Sequence, residues 1–257
     1  MAGFIDFLAF EEATLLMAAV LIGYTGILAF LGMRRDNASA VKSTLKGAAI
    51  PIGSLGGIVT ILALWQEIVW PFPAGMAAYN IFFVDIFLLF GATLVILAVS
   101  MATSSKLQFA GLFAFVAGGV TIAYGWSGYQ LGMTKDPLET FLMYGAFGLS
   151  GILAFPATVI TDHYLGHPDG TAFAFGTGVA SPRRRPSIQA SSRAVQPIVP
   201  VDSSGVPDSE KSFVAHFHLP AYISVTLLVF VAMMALAGIA ALFYLDSTLP
   251  AHLASPP

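Results

Sequence analysis

The chain has 257 residues, of which 57% are hydrophobic and 10% charged, with a formal net charge of −3 and a mean hydropathy of +0.82. Soluble domains carry about 25% charged residues, so this composition excludes an ordinary soluble domain and specifies a polytopic membrane protein. The small net charge offers no footprint for nucleic acid, and the absence of cysteine excludes disulfides, thiolate catalysis and cysteine-ligated metal or iron–sulfur centres.

The first residues, MAGFIDFLAFEE, lack a basic n-region, so the first apolar segment is expected to stay in the protein rather than be cleaved as a signal. A spanning helix needs about 20 apolar residues. Runs of this kind without Asp, Glu, Lys or Arg occupy residues 13–33, 47–66, 107–126, 140–160 and 219–244. A further run, 81–101, is interrupted only by Asp85. The predicted fold class is therefore all-α: a polytopic membrane helical bundle with six transmembrane helices, since only helices of this length satisfy the backbone in lipid.

Basic residues set the orientation. With both termini outside, ten of the eleven Lys and Arg residues fall on inner segments, and only Lys135 falls outside. The expected organisation is a membrane bundle of helices one to five over 1–160, a disordered cytoplasmic loop over 161–217, and a sixth membrane helix with a short outer tail over 218–257. The loop is rich in Ser, Pro and Gly and has no sustained period. Its PRRRPS cluster suits contact with anionic lipid, phosphorylation, or simple retention of the loop inside. No second domain and no internal repeat stands out. Small residues at helix-interface spacing (Gly53 and Gly57, Ala114 and Gly118, and Gly145, Gly148 and Gly151) predict close packing of helices two, four and five.

On the expected outer face, Glu11 and Glu12 precede helix one, Gln66 and Glu67 end helix two, and Tyr79, Asn80 and Asp85 begin helix three. Tyr124 and Tyr129 end helix four, and Lys135 precedes helix five. Asp85 would lie about 10 Å into its helix. A carboxylate at that depth suggests a site facing the bundle interior. It equally fits a residue near the positive end of a helix capped by Asn80, reaching the headgroups. Glu67 reads as a solvated helix-end carboxylate or as part of the same site. The Trp and Tyr residues here fit an interfacial aromatic belt. Thr121, Tyr124 and Gly128 form one stripe on helix four that can face Asp85, and Lys135 is the natural partner for one of the carboxylates.

On the expected inner rim, His163 and His167 follow helix five, and His216 and His218 precede helix six. Four histidines from two sides suit a metal ion, or they are plain interfacial residues. Haem ligation calls for histidines deeper between the helices, where this chain has none. No phosphate-cradling glycine loop, HExxH or nucleophile elbow occurs.

The runs WPFPAGMAAYNIFFVDIFLLFG and YGWSGYQLGMTKDPLETFLMYGAFGLSGILAFP give the segment 61–156 a resemblance. It resembles a prokaryotic family of small multi-pass membrane proteins catalogued as domain of unknown function 981. The resemblance implies a bundle embedded in a prokaryotic cytoplasmic membrane and supplies no activity, cofactor or site residue.

The leading expectation is a non-enzymatic bundle. Its outward-facing polar pocket (Gln66, Glu67, Tyr79, Asn80, Asp85, Tyr124, Tyr129 and Lys135) would bind or pass a small solute, an ion or a proton. Two alternatives are an accessory subunit of a larger membrane complex, such as a respiratory one, and a membrane-embedded redox or hydrolytic enzyme. The expected partners are the lipid bilayer and other membrane subunits, with no nucleic acid. The cofactor is unknown.

Overall fold

The computed structural model describes residues 7–69, 77–166 and 221–254, and among these there is helix and turn but no strand. Among the described residues, six helices are long and apolar enough to cross a membrane. We number them α1 (Phe7–Arg34), α2 (Ala38–Val69), α3 (Asp85–Thr103), α4 (Gln108–Leu131), α5 (Pro137–Gly166) and α6 (Ala221–Ala254). A short helical turn, Ala77–Tyr79, and a π-helical turn, Asn80–Val84, lead directly into α3.

Several bounds differ from the sequence reading. Helix α1 begins at Phe7, so Glu11 and Glu12 lie inside it rather than ahead of it. Helix α2 reaches back to Ala38, includes Lys42 and Lys46, and has 32 residues in all. At about 1.5 Å of rise per residue, a helix of that size extends about 48 Å, well beyond a hydrocarbon core of about 30 Å. The lysine-bearing turns therefore project into the interface, and a window sought by apolarity alone misses them. Helix α5 runs through Gly166 instead of stopping at residue 160. The residues expected as an outer tail continue α6 to Ala254. The rest of the proposed loop, 167–217, and the prolines Pro71 and Pro73 lie outside the described residues.

Each helix packs on its neighbours in sequence, and α6 returns to pack on α1, closing a ring. Contact is densest between α4 and α5 and between α2 and α3, and sparsest between α3 and α4. Helices in lipid gain little from the hydrophobic effect, so close backbone approach carries their association. At Gly118 a Cβ would press on the Gly148 carbonyl and stand 3.0 Å from the Ile152 nitrogen. At Gly56 it would stand 2.7 Å from the Leu94 Cβ. The expected interface glycines are only partly the actual ones. Gly57 and Gly145 face open space, while Gly56, one position along, makes the close contact.

The outer surface of the ring is apolar. Ile50, Ile61 and Ile68 are each more than two-thirds exposed along α2, which suits a lipid-facing side rather than water. Threonine and serine hydroxyls within the spans donate to carbonyls one turn back, as Thr60 does to Gly56 at 2.8 Å and Ser150 to Ala146 at 2.8 Å. No hydroxyl hydrogen among these is stranded in hydrocarbon.

At the basic end, Asn37 caps α2 by accepting from the Ala40 N–H at 2.9 Å. Asp162 of α5 caps α4 from outside: its two oxygens accept from the Leu107 and Gln108 N–H groups at 2.9 and 2.8 Å. The Tyr164 hydroxyl donates to Asp36 Oδ1 at 3.3 Å and ties the α1–α2 turn to α5.

Two outcomes test this packing. Gly118→Val is expected to lower stability by about 1–3 kcal/mol through overpacking against Gly148, while Gly145→Ala stays near neutral; thermal unfolding in detergent compares them. Asp162→Ala is expected to cost about 1–2 kcal/mol by uncapping α4, read in the same assay.

Candidate functional site at the acidic end of the bundle

The last turn of α2 carries Gln66 and Glu67 side by side in sequence. Adjacent residues project about 100° apart on a helix, so they address different neighbours. Gln66, only 2% exposed, is hydrogen-bonded to the side chain of Glu11 on α1, and its amide oxygen Oε1 is buried without a hydrogen-bond partner. Glu12, beside Glu11, is also buried.

Glu67 turns toward α3. Its carboxyl group is within hydrogen-bonding reach of Asp85, and its Oε1 is buried without a hydrogen-bond partner. The Tyr124 hydroxyl, from α4, donates to Asp85 Oδ2 at 3.0 Å. Three helices thus bring two carboxyl groups and a phenol together inside apolar spans. Such groups are expensive there and mark functional positions by default. Asp85 is half-buried and engaged with α2 and α4.

The π turn explains how Asp85 comes to point this way. A π turn holds one more residue per turn than an α turn and leaves the local backbone bonding irregular. Phe82, within that turn, has a carbonyl that accepts from the Tyr144 hydroxyl at 3.1 Å. Its ring stacks on the Tyr144 ring at 5.0 Å and 12°. Gly128 of α4 lies so close that a Cβ there would overlap the Phe82 ring. Asn80, Phe82, Phe83 and Val84 are all buried. The turn is thereby clamped from α4 and α5, and α3 starts from it with Asp85 as its first residue.

The expected pocket residues separate into two groups. Gln66, Glu67, Asp85 and Tyr124 converge as described. Asn80 is buried at 1% exposure but opens the π turn after the helical residues Ala77–Tyr79, so it is not the cap of α3. Tyr79 stacks on Phe83 with ring centroids 6.2 Å apart. Tyr129 is exposed and contacts Trp126 and Phe141, as a belt residue does. Lys135 is exposed, and Asp85 is bonded by Tyr124 in its place. Two residues of the stripe on α4 meet α3 and the π turn ahead of it: Tyr124 meets Asp85 and Gly128 meets Phe82. Glu11 was not among the expected pocket residues. Its signal was present as an acidic pair set in an apolar run.

Below the acidic groups, a narrow cavity of about 140 Å³ runs down the inside of the ring. Glu11 and Glu12 stand at one end, and one wall follows the π turn and α3 from Phe83 to Leu97. That stretch amounts to about 20 Å of helix. Phe87, Phe90, Leu94 and Phe147 line the cavity, with Thr93, Thr121, Tyr144, Ser150 and Thr158 the polar exceptions past the glutamates. Space of this kind stays dry.

Of the expected metal ligands, His163 lies on the last turns of α5 at the opposite end, and His167, His216 and His218 lie outside the described residues. Among the described residues no three His, Cys, Asp or Glu side chains cluster at metal-binding distance.

Fold and site together define an integral membrane protein built as a six-helix bundle. The family model described as protein of unknown function (DUF981) matches residues 1–174, and the chain belongs to that family. The match takes in α1 through α5, and with them Glu11, Gln66, Glu67, Asp85 and Tyr124. No curated protein and no solved structure matches the chain.

Tyr144→Phe keeps the stacked ring and removes the hydroxyl that holds the Phe82 carbonyl. It is expected to cost about 1 kcal/mol, measured by thermal unfolding against the parent chain.

Proposed function

We propose that this protein binds and exchanges a proton or a small cation at the Glu67–Asp85 pair, from the membrane side on which α1 begins. The observation that carries the reading is the pair itself, two carboxyl groups within hydrogen-bonding reach inside membrane-spanning helices. Two carboxylates have no donor between them, so they bond to each other only around a proton. A small cation is the other species that relieves their repulsion. Tyr124 donates to Asp85 and thereby keeps one oxygen oriented whichever species is bound. The buried Oε1 atoms of Gln66 and Glu67 are acceptors suited to the same kind of guest.

The cavity below argues for exchange on one side rather than conduction across the membrane. Its walls are apolar over most of their length, and an ion crossing there would lose hydration without replacement. The acidic end therefore works as a binding station open toward its own face.

The test uses protein reconstituted in vesicles with a pH-sensitive dye on the side of the acidic end. Addition of sodium, potassium or calcium salts is expected to release protons from the wild type. Asp85→Asn and Glu67→Gln are each expected to weaken the response by about tenfold or more, since a hydrogen bond to a charged group is worth about 1.5–3 kcal/mol. A response that is equal in wild type and Asp85→Asn would overturn the assignment.

A further inference from the structure

The opposite end of the bundle holds a cavity of about 660 Å³ with charged and hydroxyl side chains on its wall, within the range of roughly 300–1,000 Å³ typical of small-molecule sites. Four helix ends surround it. Two are amino-terminal, from α2 and α4, and two are carboxy-terminal, from α3 and α5. Their dipoles largely offset one another, so the side chains set the sign of the site. Lys42 comes from the second turn of α2, Lys106 from the α3–α4 turn, and His163 from α5. One carboxylate, Asp162, shares the wall, but both its oxygens already accept backbone N–H bonds from Leu107 and Gln108. It is committed to capping α4 and is poorly placed to neutralise the lysines.

We propose that this cavity binds a phosphate group, with Lys42 and Lys106 as its charge partners. A phosphate offers several acceptor oxygens and negative charge. The wall offers two ammonium groups and the Ser104 hydroxyl, while the Ser105 hydroxyl is already bonded to that of Thr103 at 2.7 Å. The chemistry runs opposite to the metal site expected from the histidines: the charged side chains committed to this space are cations, and its acid is already spent on backbone. The α3–α4 turn lies at the boundary of the membrane spans, at the depth where anionic lipid headgroups sit. The phosphate can thus belong to a lipid or to a soluble compound entering from the basic side.

Two arms distinguish these sources in the full-length protein. Calorimetric titration with inorganic pyrophosphate reads the soluble form. Native mass spectrometry from nanodiscs of phosphatidylglycerol in phosphatidylcholine, against phosphatidylcholine alone, reads retained anionic lipid. Saturable binding is expected in one arm, falling about tenfold or more in Lys42→Gln/Lys106→Gln. Lys46→Gln, whose side chain does not line the cavity, leaves it unchanged. Both lysines are exposed, so the double variant keeps its thermal midpoint; if it does not fold, each single variant is read instead. No binding in either arm overturns the proposal. So does binding indifferent to Lys42 and Lys106, or equally lost in Lys46→Gln, which would make it a diffuse surface-charge effect.

Discussion

Close backbone contact between helices is the constraint from which the remaining geometry follows. Lipid tails are as apolar as the helices they surround, so burial alone does not choose partners. Where Gly118 meets Gly148, and where Gly56 meets Leu94, the missing side chains let two pairs of helices approach to backbone distance. Those pairs, α4 with α5 and α2 with α3, are the densest in the bundle. Between them α3 and α4 touch sparsely, and the apolar cavity lies in the ring that they help to line. The gap is thus a consequence of where the small residues are.

The acidic end depends on a second, more local device. Without the π turn, a regular α-helix through residues 77–85 would carry the preceding residues about 100° out of their present register. The turn is maintained because its irregular backbone is satisfied from outside, by the Tyr144 hydroxyl at the Phe82 carbonyl, and because Gly128 leaves room for the Phe82 ring. Residues on α4 and α5 therefore position a carboxylate on α3 that they do not all touch. Glu67 and Tyr124 then meet that carboxylate from two further directions.

The number of spans, their type and the separation of acidic from basic ends were legible in the sequence, because lipid permits so few solutions and charge stands out against an apolar background. Asp85 was visible for the same reason. Its environment was not, since the π turn has no compositional mark and NIFFV looks like the start of any helix. Asn80 looked like a cap because it precedes an apolar run; tertiary contacts extend helical structure ahead of it. Glu11 shows in the sequence only as one of an acidic pair at the edge of an apolar run, and only the return of α2 places Gln66 against it. Lys135 was matched to a carboxylate by sign alone, whereas Asp85 takes its hydrogen bond from a phenol. The spacing rule for glycines picked Gly57 over Gly56, a difference of one position that only helix rotation resolves.

The two ends have a relation that neither has alone. Charges separated by most of a membrane thickness, about 30 Å, attract by only about 0.5 kcal/mol at an effective dielectric of about 20. The acids at one end and the lysines at the other therefore contribute little to each other. Had the chain placed Lys42 or Lys106 beside Glu67 and Asp85, each group would have been neutralised internally, and the bundle would have gained a buried ion pair whose desolvation offsets its attraction. The polar groups thus gather at the two ends of the bundle, Glu11, Glu67 and Asp85 at one and Lys42 and Lys106 at the other, with a largely apolar interior between them, and the two binding proposals each draw on one end alone.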